Sequence, residues 1–278
     1  MKTELGPPPE LLFKRKIQTR TALRDLWKRR ELIMTLTERE LRVRYKQTRL
    51  GFAWSIIMPI LLVIVFTVFL QRVVDIDTGG APYAVFVYLG LIPWTFFSVS
   101  VNHGGQSLVN NSSLLNKVSF PREVFPIAAV VTSAVDALIS TVILIGLLVI
   151  TGYAPKVQVL WVPVLLIVQV MFTIAIGLMA SSLVVYVRDI RQALPLILQL
   201  GLFATPVAYP IPFSPTFEKV YAVINPLAPL INGYRRTALF GQSPEWDLIG
   251  ISALSSFVLL ILGYRLFKRL ETGFADVA

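Results

Sequence analysis

The sequence predicts an all-α polytopic membrane protein with six transmembrane helices, an N-terminal amphipathic interface helix and two short outer re-entrant half-helices. Three observations carry that expectation. The 278 residues are 55% hydrophobic and only 15% charged, with a mean hydropathy of +0.69, outside the range of soluble domains. Six apolar stretches come near or above the ~20 residues that a helix needs to cross a bilayer core. The basic residues are gathered in the segments that fall on one side of those stretches.

Residues 1–25 form a tail with a Pro7-Pro8-Pro9 run and no apolar core of signal-peptide length, so the amino end is expected in the cytoplasm. Residues 26–51 form the amphipathic segment. At roughly 100° per residue, Leu26, Trp27, Ile33, Met34, Leu41 and Tyr45 fall on one side, opposite Lys28, Glu31, Thr35, Glu38, Arg39, Arg42, Lys46 and Arg49. Leu32, Leu36 and Val43 make a second, smaller apolar stripe, so part of the flank is expected against protein as well as lipid. A solvated basic helix leaves Trp27, Met34 and Tyr45 unexplained, so a helix lying in the membrane surface is preferred. Thr35 with Glu38 and Thr37 with Glu40 fit capping-box spacing, which predicts a break near Thr37.

The spans follow at 52–71, 83–102, 124–150, 159–187, 193–209 and 248–267, within a permease domain of residues 52–278. With the amino end inside, 21 basic residues lie on the cytoplasmic side and five outside, which places both termini in the cytoplasm of a multi-pass inner-membrane protein. Pro59, Pro93 and Pro126 punctuate the first three spans. The connection 206–246 holds seven prolines and two apolar patches, 217–224 and 227–240, each too short to cross. Ser214-Pro215 suits a helix start.

Composition also excludes. Absence of cysteine rules out disulfides and thiolate sites, and a single histidine, His103, rules out a multi-histidine metal centre. No phosphate-cradling loop, dinucleotide fingerprint or HExxH motif occurs, so any energy source is expected to be a partner or an ion gradient and no cofactor is expected on this chain. The net charge of +10 is concentrated before Gly51, the mark of a segment facing anionic membrane lipid rather than nucleic acid.

Asp136, near the middle of the third span, is the one carboxylate inside the six spans. It fits a hydrogen-bonded carboxyl in helix packing and the polar lining of a conduit equally. Tyr88, Trp94, Phe96 and Phe97 crowd the second span, and the last three lie too deep for an interfacial belt. Their flat apolar faces suit either packing or the C–H faces of sugar rings. His103, beside Gly104-Gly105, is expected in an interfacial turn. Residues 104–118 are too polar to face lipid, yet Leu108, Leu115 and Val118, with Leu114 beside them, give them an apolar face, which predicts a short cytoplasmic helix that docks on a partner or covers its own protein.

Several segments together resemble the permease subunit of type-two ABC exporters for lipid-linked polysaccharide, the O-antigen, capsule, teichoic acid and mycobacterial galactan exporters. They are Arg30-Glu31-Leu32-Ile33, Arg42-Val43-Arg44-Tyr45-Lys46-Gln47-Thr48 with Leu50-Gly51 and Trp54, Phe120-Pro121-Arg122 with Phe125-Pro126, Arg188-Asp189, and Asn225-Pro226-Leu227 with Tyr234-Arg235. The resemblance implies a homodimer of six-span subunits joined to two copies of a cytoplasmic ATPase subunit. In that family the surface helix and the loop after the second span meet the ATPase, which points to Glu38, Leu108, Leu114 and Leu115. It also implies a polyprenyl-diphosphate-linked glycan as substrate. Arg42, Arg44, Lys46 and Arg49 are then inner diphosphate candidates, and Arg235 and Arg236 outer ones. The half-helices would gate the exit, with Phe217, Tyr221 and Tyr234 on them. A drug- or lipid-exporting permease of the same fold and an ion-coupled carrier are the rival readings.

Overall fold

Helix α3 (Tyr83–Asn110) is the axis of the molecule. It is apolar on nearly every side, which suits a helix enclosed by others, and Val85, Val87, Leu91, Val101 and Leu108 are fully buried. The computed structural model describes residues 28–46, 53–73, 78–115, 121–153, 156–210 and 214–274. Around α3 stand α2 (Trp54–Val73), α5 (Val124–Ile150), α6 (Val162–Tyr186), α7 (Arg188–Ala204) and α9 (Leu227–Arg235). Helix α10 (Trp246–Leu270) packs along α6, and α1 (Arg30–Lys46) packs along α5. The short α4 (Ser112–Leu115) follows α3, and α8 (Pro215–Ile224) packs on α10.

Bonds between helix ends fix the directions. At one end, rich in arginine and lysine, Lys268 on α10 pairs with Glu123 before α5 at 2.7 Å, and Arg191 on α7 donates to Asn110 at the end of α3 at 3.1 Å. At the far end, the Tyr83 hydroxyl that opens α3 donates to the Ala208 carbonyl after α7 at 3.0 Å. There too Trp161 meets Trp246 edge-on at 4.7 Å. Helices α3, α5, α6, α7 and α10 therefore run in alternate directions. Apolar stripes point away from the bundle, such as Leu138, Val142, Ile145 and Val149 on α5 and Met58, Leu61, Val65 and Val68 on α2. Spaced by three or four residues, they form the faces a helix turns to lipid.

Among the described residues, four helical segments are long and apolar enough to cross a membrane: Tyr83–Asn110, Val124–Ile150, Val157–Tyr186 and Trp246–Leu270. Helix α2 is apolar over Ile56–Phe69, and α7 has 17 residues. The fifth expected span shifts because extended backbone at Val187 ends α6, and Pro206 forces Thr205 out of helix at the other end.

Helix α1 differs from its expectation twice. It does not break at Thr37, because the Thr35 hydroxyl donates to the Glu31 carbonyl at 2.8 Å and Thr37 to the Ala128 carbonyl at 3.5 Å, so neither caps a helix start. Nor do the expected stripes decide its covered face. Thr37 is buried between half-buried Ile33, Glu40 and Arg44, while Met34 and Val43 are 63% and 55% exposed. Residues 26–27 and 47–51 of the amphipathic segment lie outside the described residues, as do 116–118 beyond α4.

Helix α3 also runs unbroken through Gly104-Gly105, so His103 lies in a helix rather than a turn. The glycines serve close approach. A Cβ on Gly105 would come within 2.7 Å of the Leu194 side chain on α7, and Gly104 lies against the backbone of Pro126.

Candidate functional site

The third-span carboxylate is not alone. Arg44 Nη1 donates to Asp136 Oδ2 at 2.7 Å, and the Tyr45 hydroxyl donates to Oδ1. Arg44 and Asp136 expose 24% and 21% of their side chains, and Arg44 Nη2 is buried with no hydrogen-bond partner among the described residues. With Thr37 bonded at Ala128 and Arg44 at Asp136, α1 runs beside α5 in the same direction over about two turns. Nearby, burial pushes the Glu40 carboxyl above its ordinary pKa, against the pull of Arg44 and Arg39.

Beside the pair lies a cavity of about 240 Å³, between Trp54 and Met58 of α2, Thr95 and Phe96 of α3, and Ser133 and Ser140 of α5. A second hollow, of about 250 Å³, lies between α3 and α7, with Ser98, Asn102, His103 and Gln199 on its wall. The Arg44–Asp136 pair has no net charge, so it offers a diphosphate little attraction. Arg42 is exposed and pairs with Glu38 one turn back, while the side chains of Lys46 and Arg49 lie outside the described residues.

At the basic end the structure separates the coupling candidates. Leu108 is fully buried with Phe125, Leu178, Phe267 and Phe274, and Leu114 packs on the edge of that cluster. Leu108 is therefore core and cannot be a docking residue, because the α3 helix carries it inward. The Leu115 side chain lies outside the described residues. Asn110, Ser113 and Glu38 are exposed. Arg39 donates to the Asn111 side chain, tying α1 to the turn before α4.

The deep aromatics are largely packing. The Tyr88 hydroxyl donates to the Ser140 carbonyl at 3.2 Å, and Phe97 stacks on Phe172 at 5.1 Å. Trp94 leans on Phe97 at 5.7 Å and closes over Gly201, where a Cβ would lie 2.8 Å from its ring. Of the four, Trp94 and Phe96 reach a cavity wall.

At the far end the two neighbouring arginines part. Arg235 is 2% exposed and donates to the carbonyls of Phe86 at 3.2 Å, Pro206 at 2.9 Å, Tyr209 at 3.5 Å and Val207, with its guanidinium 3.6 Å from the Phe86 ring centre. Three of these carbonyls belong to the irregular segment that follows α7. Arg235 thus has no access to an outer diphosphate, which corrects the expectation. Arg236 instead pairs with Glu245 at 2.9 Å. Tyr234 is buried and donates to Gln169 at 2.7 Å, so it faces the bundle rather than an exit. Phe217 is 50% exposed and stacked on Tyr221, whose hydroxyl holds the Ala204 carbonyl.

The family model for ABC-2 type transporters matches residues 31–239, three quarters of the chain. The chain belongs to the ABC-2 type transporter family. It is 30% identical over 256 residues to the O-antigen export system permease protein RfbA of Myxococcus xanthus, covering 91% of this chain and 98% of that one. The protein of the same name from Klebsiella pneumoniae is 29% identical over 248 residues, covering 89% and 95%. The polysialic acid transport protein KpsM of Escherichia coli is 25% identical over 241 residues, covering 84% and 91%.

In this ABC-2 chain several tying residues went unnoticed in the sequence. Gln169 donates to the Pro93 carbonyl at 2.8 Å while accepting from Tyr234, joining α6, α3 and α9. A lone amide in an apolar run was its signal. Lys268, held by Glu123 and Glu271 at 2.7 and 2.8 Å, clamps the basic ends of α5 and α10, and only its place in the last helical turn marked it.

Proposed function

We propose that this chain is the permease subunit of an ATP-driven exporter that moves a polyprenyl-diphosphate-linked polysaccharide across the cytoplasmic membrane. The observation that carries the reading is the match to O-antigen export permeases along nearly their whole length. The polysialic acid relative supports the broader class of polysaccharide. Two copies of the chain join two copies of a cytoplasmic ATPase subunit, which binds ATP and magnesium; this chain supplies the path.

In this reading α2, α3, α5, α6, α7 and α10 are six spans, the basic end is cytoplasmic with both termini, and α8 and α9 are re-entrant at the outer face. The basic end follows the distribution of lysine and arginine. The ATPase meets the turn at Asn110 and Ser113 together with the Glu38 face of α1. Arg42, with Lys46 and Arg49, takes the diphosphate. Phe217 and Tyr221 belong to the outer gate. An ion-coupled carrier is disfavoured because Asp136 is spent on Arg44 and Tyr45.

Deletion of this gene in its native host, followed by complementation, tests the function. Surface polysaccharide should vanish, lipid-linked polymer should accumulate inside, and the wild-type gene should restore export only with a hydrolysis-competent ATPase. Export that continues without the gene refutes the reading.

A further inference from the structure

We propose that the cavity between α2, α3 and α5, beside the Arg44–Asp136 pair, is a subsite for one neutral hydroxyl-rich ring, a sugar residue of the polymer in transit. The proposal rests on the polysaccharide reading above. Its volume of about 240 Å³ has room for roughly eight waters, the scale of a single sugar ring.

The hydrogen-bonding capacity of the wall selects the ligand. Arg44 Nη1 is spent on Asp136, but the buried Nη2 has no partner among the described residues and needs an acceptor. The hydroxyls on the wall have the opposite need. Thr95 gives its proton to the carbonyls of Leu91 and Ile92 at 2.8 and 3.0 Å, Ser133 to Ala129 at 3.0 Å and Ser140 to Asp136 at 3.1 Å. What these oxygens have left to offer is acceptance. An occupant must therefore accept from the guanidinium and donate to the hydroxyl oxygens. A sugar hydroxyl does both. A phosphate only accepts, and here it would face three acceptor oxygens and the Asp136 carboxylate. Trp54, Met58 and Phe96 supply the apolar wall on which a ring's C–H face can lie.

The chain has no cysteine, so Ser133→Cys and Ala137→Cys each place one thiol at this wall. Their modification by 2-aminoethyl methanethiosulfonate is timed in cells exporting polymer and in sister cells that cannot begin its synthesis. Ser113→Cys, exposed at the basic end, serves as the control. The expected result is ready modification without polymer and several-fold slower modification during export, with the control unchanged. Equal rates in the two strains overturn the subsite, as a lipid- or water-filled hollow would give. Absence of reaction in both also overturns it, because the cavity is then closed to solutes.

Thr95→Val keeps the shape and removes the acceptor. It should lower export per folded permease by about three- to ten-fold, the worth of one hydrogen bond, and Thr95→Ser should restore it. Wild-type export by Thr95→Val counts against the subsite. Failure of the unaltered chain to restore export overturns the functional reading, and the sugar with it. Restored export with equal thiol rates overturns the subsite alone.

Discussion

Replacing Asp136 by alanine removes the acceptor of two side chains at once and strands the Arg44 guanidinium, whose Nη2 is already without a partner among the described residues. Breaking a fully buried ion pair costs about 3–5 kcal/mol, whereas an exposed pair is worth about 0–1 kcal/mol. With 24% and 21% of the two side chains accessible, the loss falls between these limits, at about 2–3 kcal/mol. Arg44→Met should cost less, because the carboxylate keeps the Tyr45 hydroxyl. The double variant Arg44→Met/Asp136→Leu leaves no charge to bury and should lie within about 1 kcal/mol of wild type. The assay is a double-mutant cycle of Arg44→Met, Asp136→Leu and the two together on the purified permease, following denaturation in mixed micelles by tryptophan fluorescence. A coupling energy of about 2 kcal/mol is expected. Additive losses, or an Asp136→Ala variant as stable as wild type, would show that α1 is not held to α5 by this pair.

Gly90→Ala should destabilise by about 1–3 kcal/mol, seen as a lower melting temperature, because its Cβ would lie 2.5 Å from the Val207 carbonyl oxygen and 2.6 Å from Arg235 Nη2. Arg235→Lys should cost at least about 3 kcal/mol, since one ammonium cannot reach the separate carbonyls that the guanidinium spans; gel filtration of a fluorescent fusion should show little monodisperse protein. Glu40→Gln should be neutral or stabilising at pH 7, because burial raises this carboxyl's pKa and disfavours its charged form; the advantage should disappear as the pH falls below the ordinary value of 4.5, read as the difference in melting temperature between the proteins. Single cysteines at Ser113 and Ser214 should be labelled by an impermeant thiol reagent from inside only and from outside only, and labelling of both from one side refutes the six-span arrangement.

The third expected span, 124–150, is the helix Val124–Ile150, and the patches at 217–224 and 227–240 became two short helical segments. Apolar runs bounded by proline and charge are enough for that. Contacts between elements were less legible. An amphipathic stripe says that a face is covered, not by what: the protein-covered flank expected of α1 lies along α5, with Thr37 rather than a leucine at its centre. Gly104-Gly105 has the composition of a turn, and only the nearness of α5 and α7 shows that it allows close packing. Arg235 and Arg236 are adjacent in sequence and differ by one helical step of about 100°. That step puts one among buried carbonyls and the other beside Glu245.

Helix length connects the basic end to the cavity. At 1.5 Å per residue, the 28 residues of α3 and 27 of α5 measure about 42 and 40 Å, some 10 Å more than a hydrocarbon core of about 30 Å. The polar ties of Arg39 to Asn111, Arg191 to Asn110 and Lys268 to Glu123 all gather at the basic end, where an excess length can stand in water. Helix α1 begins at that level and follows α5 upward to Asp136, 14 residues and about 21 Å from the far end of the helix. A polar helix with a mostly charged outer face is stable there only beside water, headgroups or protein. Its 17 residues form one rigid element, tied at Asn111 below and Asp136 above. The α3–α4 turn is therefore joined to the Arg44 guanidinium at the cavity wall through a helix rather than a loop.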